Sequence, residues 1–329
     1  MVSSTNDMTE KERLLSTLHG GATDRQPFII PAGLIAAPLF TGTSLCEQNA
    51  HSLAELSCRV RWLTGAENLA LPHTMRVLSG ALGGEKDQPP KATPVEEYPL
   101  EGVDQWKRLE GVDPFADRGV ELTVRCIEVL SRSYPQVPVV GDVPAPLSLA
   151  VGIVSAEKVL LSAVKDKEAL ASFLSFLTGI VEEYALRLIR AGADVIFIKD
   201  EFSALLGEEL FGSISLPPIR RLVTTVQKSV PAILHLCGDV SSIVEPLKRS
   251  GISGLSVDAE VSIEELKRAL PSIAIMGNIC VEGDVESRFT VQVRSLLSER
   301  PHIVAPACGL VDRISLERLI VAKTLLFNS

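Results

Sequence analysis

The feature that most constrains the fold of this chain is a regular alternation between amphipathic helices and short apolar strands. From residue 167 onward, apolar residues recur at the spacing of one helix face, and Gly192 predicts the end of that helix. The next segment, 194–200 (DVIFIKD), is a short apolar run with charged ends, as expected for a strand buried in a parallel sheet. A helix followed by such a strand is half of a βαβ unit.

The same alternation extends over most of the chain and predicts eight strands. These strands lie at 28–32, 68–71, 137–142, 195–198, 232–235, 254–257, 274–277 and 302–305. Eight strands separated by helices, without a long polar linker, predict an α/β fold formed by a single (β/α)8 TIM barrel. Such a barrel needs roughly 250 residues, so we expect residues 1–329 to form one domain with an N-terminal extension.

Composition and charge exclude several classes of protein. The net charge of −9 disfavours nucleic acid as a partner, because proteins that bind nucleic acid concentrate lysine and arginine. No apolar run reaches the length of a membrane span, and the first residues lack the pattern of a secretory signal, which predicts a cytoplasmic protein. The six cysteines include no C-x-x-C pair, so reduced thiols are expected.

Two strand ends carry residues that bind metals. The strand at 232–235 runs into His235-Leu236-Cys237, and the last strand is followed closely by Cys308. In an extended segment, residues two apart point to the same side, so His235 and Cys237 can bind one ion together. Imidazole and thiolate ligands favour zinc, and three protein ligands leave a fourth position open, as in catalytic zinc sites. A packing or capping role for each of these residues is the alternative.

Other polar residues at the predicted strand ends are candidates for the reaction. Asp200 and Glu201 follow the fourth strand and are expected to act as a fourth metal ligand, an orienting group for His235 or a proton donor. Loop solvation or helix capping is the alternative for both. His73 and Asn278 are candidates for substrate contact, although each can instead hydrogen-bond a loop or cap a helix.

Several segments together resemble the uroporphyrinogen decarboxylase superfamily, and within it the cobalamin-dependent methyltransferases with a His-x-Cys…Cys zinc motif. The matching segments are Gly141 with PLSLA at 146–150, AGADVI at 191–196, HLCG at 235–238, MGN at 276–278 and ACG at 307–309. The resemblance implies Zn²⁺ bound by His235, Cys237 and Cys308. It also implies cobalamin carried by a separate corrinoid protein, because the chain has no Asp-x-His-x-x-Gly motif of such carriers.

The resemblance also separates the branches of the superfamily. Decarboxylases carry arginines after the first strand and an essential aspartate near the second, whereas this chain reads IPAGLIAA at 30–37 and has Thr74 at the aspartate position. The segment VLSG at 77–80, together with Leu34, Ile35, Leu39 and Phe40 after the first strand, predicts an apolar substrate pocket. Coenzyme M methyltransferases usually carry acidic residues in the segment that corresponds to 77–80.

These observations favour a methyltransferase that moves a methyl group between a small substrate and the cobalamin of a corrinoid protein. The preferred substrate is a methoxylated aromatic compound, as in the methyltransferase component of an O-demethylase. Three alternatives stay open: transfer from a methyl-corrinoid to a thiol, as in coenzyme M methyltransferases; uroporphyrinogen decarboxylation; and a non-catalytic barrel that binds a tetrapyrrole and is stabilised by zinc.

Overall fold

The computed structural model describes residues 7–30, 49–71, 76–84, 98–280, 287–307 and 316–327. Within these residues, seven parallel strands form one sheet in the order in which they occur along the chain. They are β1 (Leu69–Ala70), β2 (Val139–Pro144), β3 (Val195–Asp200), β4 (Ala232–Leu236), β5 (Gly254–Ser256), β6 (Ala274–Ile279) and β7 (Ile303–Pro306). The described residues therefore form an α/β fold of the parallel barrel type, as predicted.

Helices connect these strands. They are α1 (Glu10–Leu18), α2 (Ala50–Thr64), α3 (Val77–Ala81), α4 (Arg118–Ser133), α5 (Pro146–Val154), α6 (Ala156–Lys165), α7 (Lys167–Ala191), α8 (Gly207–Leu210), α9 (Leu216–Val226), α10 (Val244–Leu247), α11 (Ile263–Ala269), α12 (Ser287–Glu299) and α13 (Leu316–Phe327). Short 3₁₀ segments lie at Val103–Leu109, Pro114–Ala116, Ser203–Leu206 and Ser241–Ile243, and Phe211–Ser215 forms a π-helical turn.

Of the predicted first strand, 28–32, the structure describes residues 28–30, which include a parallel bridge between Phe28 and Val304. The nitrogen of Val304 donates to the Pro27 carbonyl, and on the other side the nitrogen of Glu67 donates to the Phe28 carbonyl, so this segment lies between β7 and β1. The Asn68 amide then binds both the nitrogen and the carbonyl of Ile30, each at 2.8 Å. At Ile30 the Asn68 side chain therefore takes the place of a neighbouring strand.

Alternate residues of the strands point into the barrel and form an apolar cluster of their own. It contains Ile29, Val140, Val195, Phe197, Ile233, Ala274, Met276, Ile303 and Ala305, together with Leu14 and Leu18 of α1. The remaining apolar residues of the strands pack against the surrounding helices. Helix α1 therefore packs onto the barrel interior, and the alternation determines which polar side chains point inward.

Helix α7 has the boundaries that the sequence predicts. Asp166 caps its first turn by accepting a hydrogen bond from the nitrogen of Ala169, and Gly192 ends it with a positive φ of 107°. Among the described residues, α7 is long and apolar enough to cross a membrane, and so are α5 and α6 taken together despite a bend of 117° between them. The apolar stripe of α7 is buried in the core, which indicates a helix of the protein interior.

Candidate functional site

His235 and Cys237 lie together at the carboxyl end of β4. The Cys237 sulfur is 3.4 Å from Nε2 of His235, and both residues are half-buried. His235 belongs to the inward-facing series of β4, and its ring stacks on the inward-facing Phe197 of β3 with a centroid distance of 5.7 Å. The two side chains are therefore in contact at the end of the barrel where enzymes of this architecture carry their active sites.

The distance between these two atoms fits a shared zinc ion. At zinc–sulfur and zinc–nitrogen distances of about 2.3 and 2.0 Å, tetrahedral coordination separates the two donor atoms by roughly 3.5 Å. The described part of the chain contains no group of three or more His, Cys, Asp or Glu residues that could hold a metal. The third predicted ligand, Cys308, lies outside the described residues. Its neighbour Ala307 donates to the Ile279 carbonyl at the end of β6, at 2.8 Å.

The second nitrogen of His235 has a buried partner. Nδ1 lies 3.0 Å from the hydroxyl of Ser256, which is in the paired position on β5 and is 1% exposed. Ser256 is not among the candidates that the sequence indicates. The sequence gives little indication of this contact. A serine at a strand end can hydrogen-bond a histidine only when the neighbouring strand carries that histidine at the paired position.

The turn after Cys237 is held by neighbouring strands. The Cys237 nitrogen donates to the Asp200 carbonyl at 3.1 Å, and the nitrogen of Gly238, which has a φ of 81°, donates to the Asp258 carboxylate at 3.1 Å. Asn278, predicted to contact substrate, donates from its amide nitrogen to the carbonyls of Asp258 and Val261 at 2.7 and 2.8 Å. The Asn278 amide therefore supports the loop that carries Asp258.

Asp200 is buried and turned away from the barrel interior. Its carboxylate accepts hydrogen bonds from the hydroxyls of Ser148 and Ser203 and from the nitrogens of Phe202 and Ser203. Burial raises the pKa of Asp200, whereas these hydrogen bonds oppose the rise. The contacts correspond to the capping role that the sequence left open for Asp200. The physical reason is strand alternation, which points Asp200 to the side opposite Lys199.

Glu201 is the first residue after β3 and is half-buried. Its nitrogen donates to the Ser148 hydroxyl at 2.9 Å, which ties this strand end to the start of α5. By position it continues the alternate series of Val195, Phe197 and Lys199, which faces the interior.

The structure adds a charged pair inside the barrel that the sequence analysis missed. The Lys199 ammonium is 3.0 Å from the Asp142 carboxylate of β2, and the two side chains are 8% and 1% exposed. Lys199 is also the residue of β3 paired with His235 of β4. The signal was present in the sequence, since a lysine and an aspartate interrupt two otherwise apolar strands, but only the strand order brings them together.

The other predicted substrate contacts are not all described by the structure. His73 and Leu34 lie outside the described residues. The segment 77–80 belongs to α3, in which Leu78 and Ser79 are buried. Leu78 is fully buried among residues of the apolar core. That this segment lines an apolar substrate pocket stays a prediction.

A parallel barrel with an imidazole and a thiol in contact at the carboxyl end of a strand has the arrangement of barrel enzymes, which carry their active sites at that end. The chain itself belongs to the uroporphyrinogen decarboxylase (URO-D) family, whose pattern matches residues 9–322.

Similarity to relatives within the family indicates which branch of the family the chain resembles. The chain is 25% identical to the methylcobamide:CoM methyltransferase MtaA of Methanosarcina barkeri, covering 95% of this chain and 96% of that protein. It is also 25% identical to the methylcobamide:CoM methyltransferase MtbA of Methanosarcina acetivorans, covering 93% and 94% of the two chains. A methyltransferase structure from Methanosarcina mazei shares the fold, with a TM-score of 0.84 at 24% identity and coverage of 98% and 99%. These matches confirm the resemblance to the corrinoid methyltransferase branch.

Proposed function

We propose that this protein is a zinc-dependent methyltransferase that transfers a methyl group from the cobamide of a separate corrinoid protein to a small thiol. The observation that carries the proposal is the 3.4 Å contact between the Cys237 sulfur and Nε2 of His235 at the carboxyl end of β4. The similarity to methylcobamide:CoM methyltransferases over nearly the whole chain supports the same reaction class.

In this proposal His235, Cys237 and Cys308 hold the zinc ion. Bound zinc supplies Lewis acidity, which favours the thiolate form of a thiol at neutral pH. Three protein ligands leave room for the substrate sulfur. Ser256 and Phe197 contact His235, and Asp258 holds the turn after Cys237.

The proposed methyl transfer needs no further reactant. The substrate sulfur gains the methyl group, the cobalt retains the electron pair of the broken carbon–cobalt bond, and the thiol proton passes to a base of the protein and from there to solvent. Glu201 is proposed to accept that proton, because it follows β3 directly at the same end of the barrel as His235. In the opposite direction the same carboxyl group would return a proton to the leaving sulfur.

A thiol now has more support than the methoxylated aromatic compound that the sequence favoured. The aromatic substrate was inferred from two apolar segments, of which one lies outside the described residues and the other contributes Leu78 to the core. The position next to His235 on β3 is occupied by the charged Lys199, which pairs with Asp142. Relatives named for coenzyme M, including a methylated-thiol–coenzyme M methyltransferase of Methanosarcina mazei, add further support for a thiol.

The test follows the cobalt absorption spectrum under anaerobic conditions. Zinc-loaded protein is mixed with methylcobalamin and a panel of thiols, and separately with cobalt(I) cobalamin and a panel of aryl methyl ethers and methylamines. We expect thiol-dependent loss of methylcobalamin that Cys237→Ala abolishes and the matched control Cys58→Ala retains, since Cys58 lies on α2. Methylation of cobalt(I) by aryl ethers, with inert thiols, would instead establish the O-demethylase reaction. Decarboxylation of uroporphyrinogen would refute methyl transfer as the function.

A further inference from the structure

We infer that Ser256 is a positioning residue for the metal ligand His235, holding the imidazole so that Nδ1 carries the proton and Nε2 is left for the metal. This inference rests on the proposed function, because it assumes that His235 binds zinc. It assigns a role to a residue of β5, whereas His235 lies on β4 and Cys237 directly follows β4.

The strand pairing places the two residues side by side. His235 of β4 and Ser256 of β5 are partners in the parallel register, and the Ser256 oxygen lies 3.0 Å from Nδ1 of His235. Ser256 is 1% exposed. Within the described part of the chain, this contact is the one hydrogen bond of the Ser256 side chain, as a buried hydroxyl requires.

The chemistry of imidazole determines the direction of this hydrogen bond when a metal is bound. A neutral imidazole that offers the lone pair of Nε2 to a metal keeps its proton on Nδ1, so Nδ1 donates and the Ser256 oxygen accepts. Nε2 then faces the Cys237 sulfur, 3.4 Å away. Without an acceptor beside Nδ1, the buried N–H group would lose its partner and the metal-binding tautomer would be disfavoured.

The ring of His235 has a second support that is independent of Ser256. Phe197 of β3 stacks on it with an angle of 23° between the ring planes, and Phe197 is 2% exposed. Removal of the Ser256 hydroxyl therefore leaves the imidazole packed in place. A loss of zinc affinity in such a variant reports on the hydrogen bond and not on a displaced ring.

The first measurement is zinc affinity, obtained by competition with a chromophoric chelator for the wild type and three variants. Ser256→Ala should bind zinc 10- to 100-fold more weakly, the size of effect usual for a group that orients a metal ligand. Ser256→Thr, which keeps the hydroxyl, should recover most of the affinity. Ser253→Ala is the matched control, because the Ser253 hydroxyl precedes the same strand and accepts from Gln227 instead of contacting His235.

The second measurement is NMR of the zinc-loaded protein with ¹⁵N-labelled histidine. The wild type should show a slowly exchanging Nδ1–H proton on His235, and Ser256→Ala should lose this signal through exchange with water. Equal zinc affinity and an equally protected proton in Ser256→Ala would overturn the inference while leaving the proposed function intact. Wild-type protein that does not bind zinc through His235 would overturn both.

Discussion

At the scale of single residues, the inward face of the strands combines apolar packing with a few polar groups that each have a defined partner. His235 contacts Cys237 and Ser256, and on the neighbouring strand Lys199 pairs with Asp142. A charged pair so far removed from solvent loses much of its hydration. Each charge therefore depends on the other.

The Lys199–Asp142 pair can be tested through stability. Lys199→Met leaves the Asp142 carboxylate buried without its cation, and removal of one partner of a buried pair typically lowers the free energy of unfolding by about 3–5 kcal/mol. The double variant Lys199→Met/Asp142→Leu should recover most of this loss, because an apolar pair replaces both charges. Urea unfolding measures both effects.

The control for this experiment is an exposed pair of similar chemistry. Arg268 and Glu264 of α11 lie 2.9 Å apart with side chains 72% and 70% exposed. Arg268→Met should change stability by only about 0.5 kcal/mol or less. A Lys199→Met variant as stable as the wild type would show that the buried charges do not depend on each other.

Glu201 can be tested through the reaction. If it accepts the thiol proton, Glu201→Gln should slow methyl transfer by about 10²–10⁴-fold and leave the zinc content unchanged, because the amide cannot take up the proton. Glu208→Gln on the nearby α8 is the matched control, since Glu208 is exposed. An unchanged rate at saturating substrate in Glu201→Gln would return Glu201 to the role of a solvated loop residue.

At the scale of the elements, α1 is held to the barrel by both apolar and charged contacts. Its leucines pack into the interior cluster, and the Arg13 guanidinium binds Asp24 at 2.6 Å and Glu67 at 2.5 Å. The Glu67 carboxylate also accepts from Arg25 and from the nitrogen of Phe28. This network joins α1, the bridging segment at Phe28 and the start of β1.

The same network makes stability depend on pH. The hydrogen bond from Arg13 lowers the pKa of Asp24 from 3.8 to about 2. Because the pKa is depressed in the folded state, the stabilisation is present above about pH 4 and is lost as the pH falls toward 2. Asp24→Asn should therefore be less stable at neutral pH and lose less stability between pH 4 and 2.

Chemical unfolding at a series of pH values checks this expectation. Asp104→Asn is a suitable control, because Asp104 is exposed in the 3₁₀ segment Val103–Leu109. Wild type and Asp24→Asn curves that run parallel between pH 4 and 2 would contradict the role given to Asp24.

Some features of the helices and strands could be predicted from sequence patterns, and others could not. The strand at 195–200 was predictable, because a short, continuous apolar run is typical of a strand buried on both faces in a parallel sheet. The hydrogen bonds of the Ile30 backbone with the Asn68 side chain were not predictable, because Asn68 belongs to another segment. For the same reason Ser256, Lys199 and Asp142 acquire their roles only when the strand order is known. The sequence places Asp200 near the rim of the barrel. Whether its side chain points into the barrel or away from it depends on the alternation along β3.

At the scale of the whole molecule, the Arg13 network and the candidate site lie at opposite ends of the strands. The Arg13 network lies where β1 begins, whereas His235 and Cys237 lie where β4 ends. Barrel enzymes commonly separate stability and catalysis in this way. The site can therefore be altered with limited effect on folding, which makes tests of individual ligands interpretable.

The most direct test is a zinc titration of metal-free protein in which the rate of thiol methylation by methylcobalamin is read at each addition. The rate of the wild type should rise from background and level off at about one zinc per chain, while Cys237→Ala and Cys308→Ala stay near background over the same range. Full activity of the metal-free wild type, or a Cys308→Ala titration identical to that of the wild type, would contradict the assignment of His235, Cys237 and Cys308 as the zinc site of a methyltransferase.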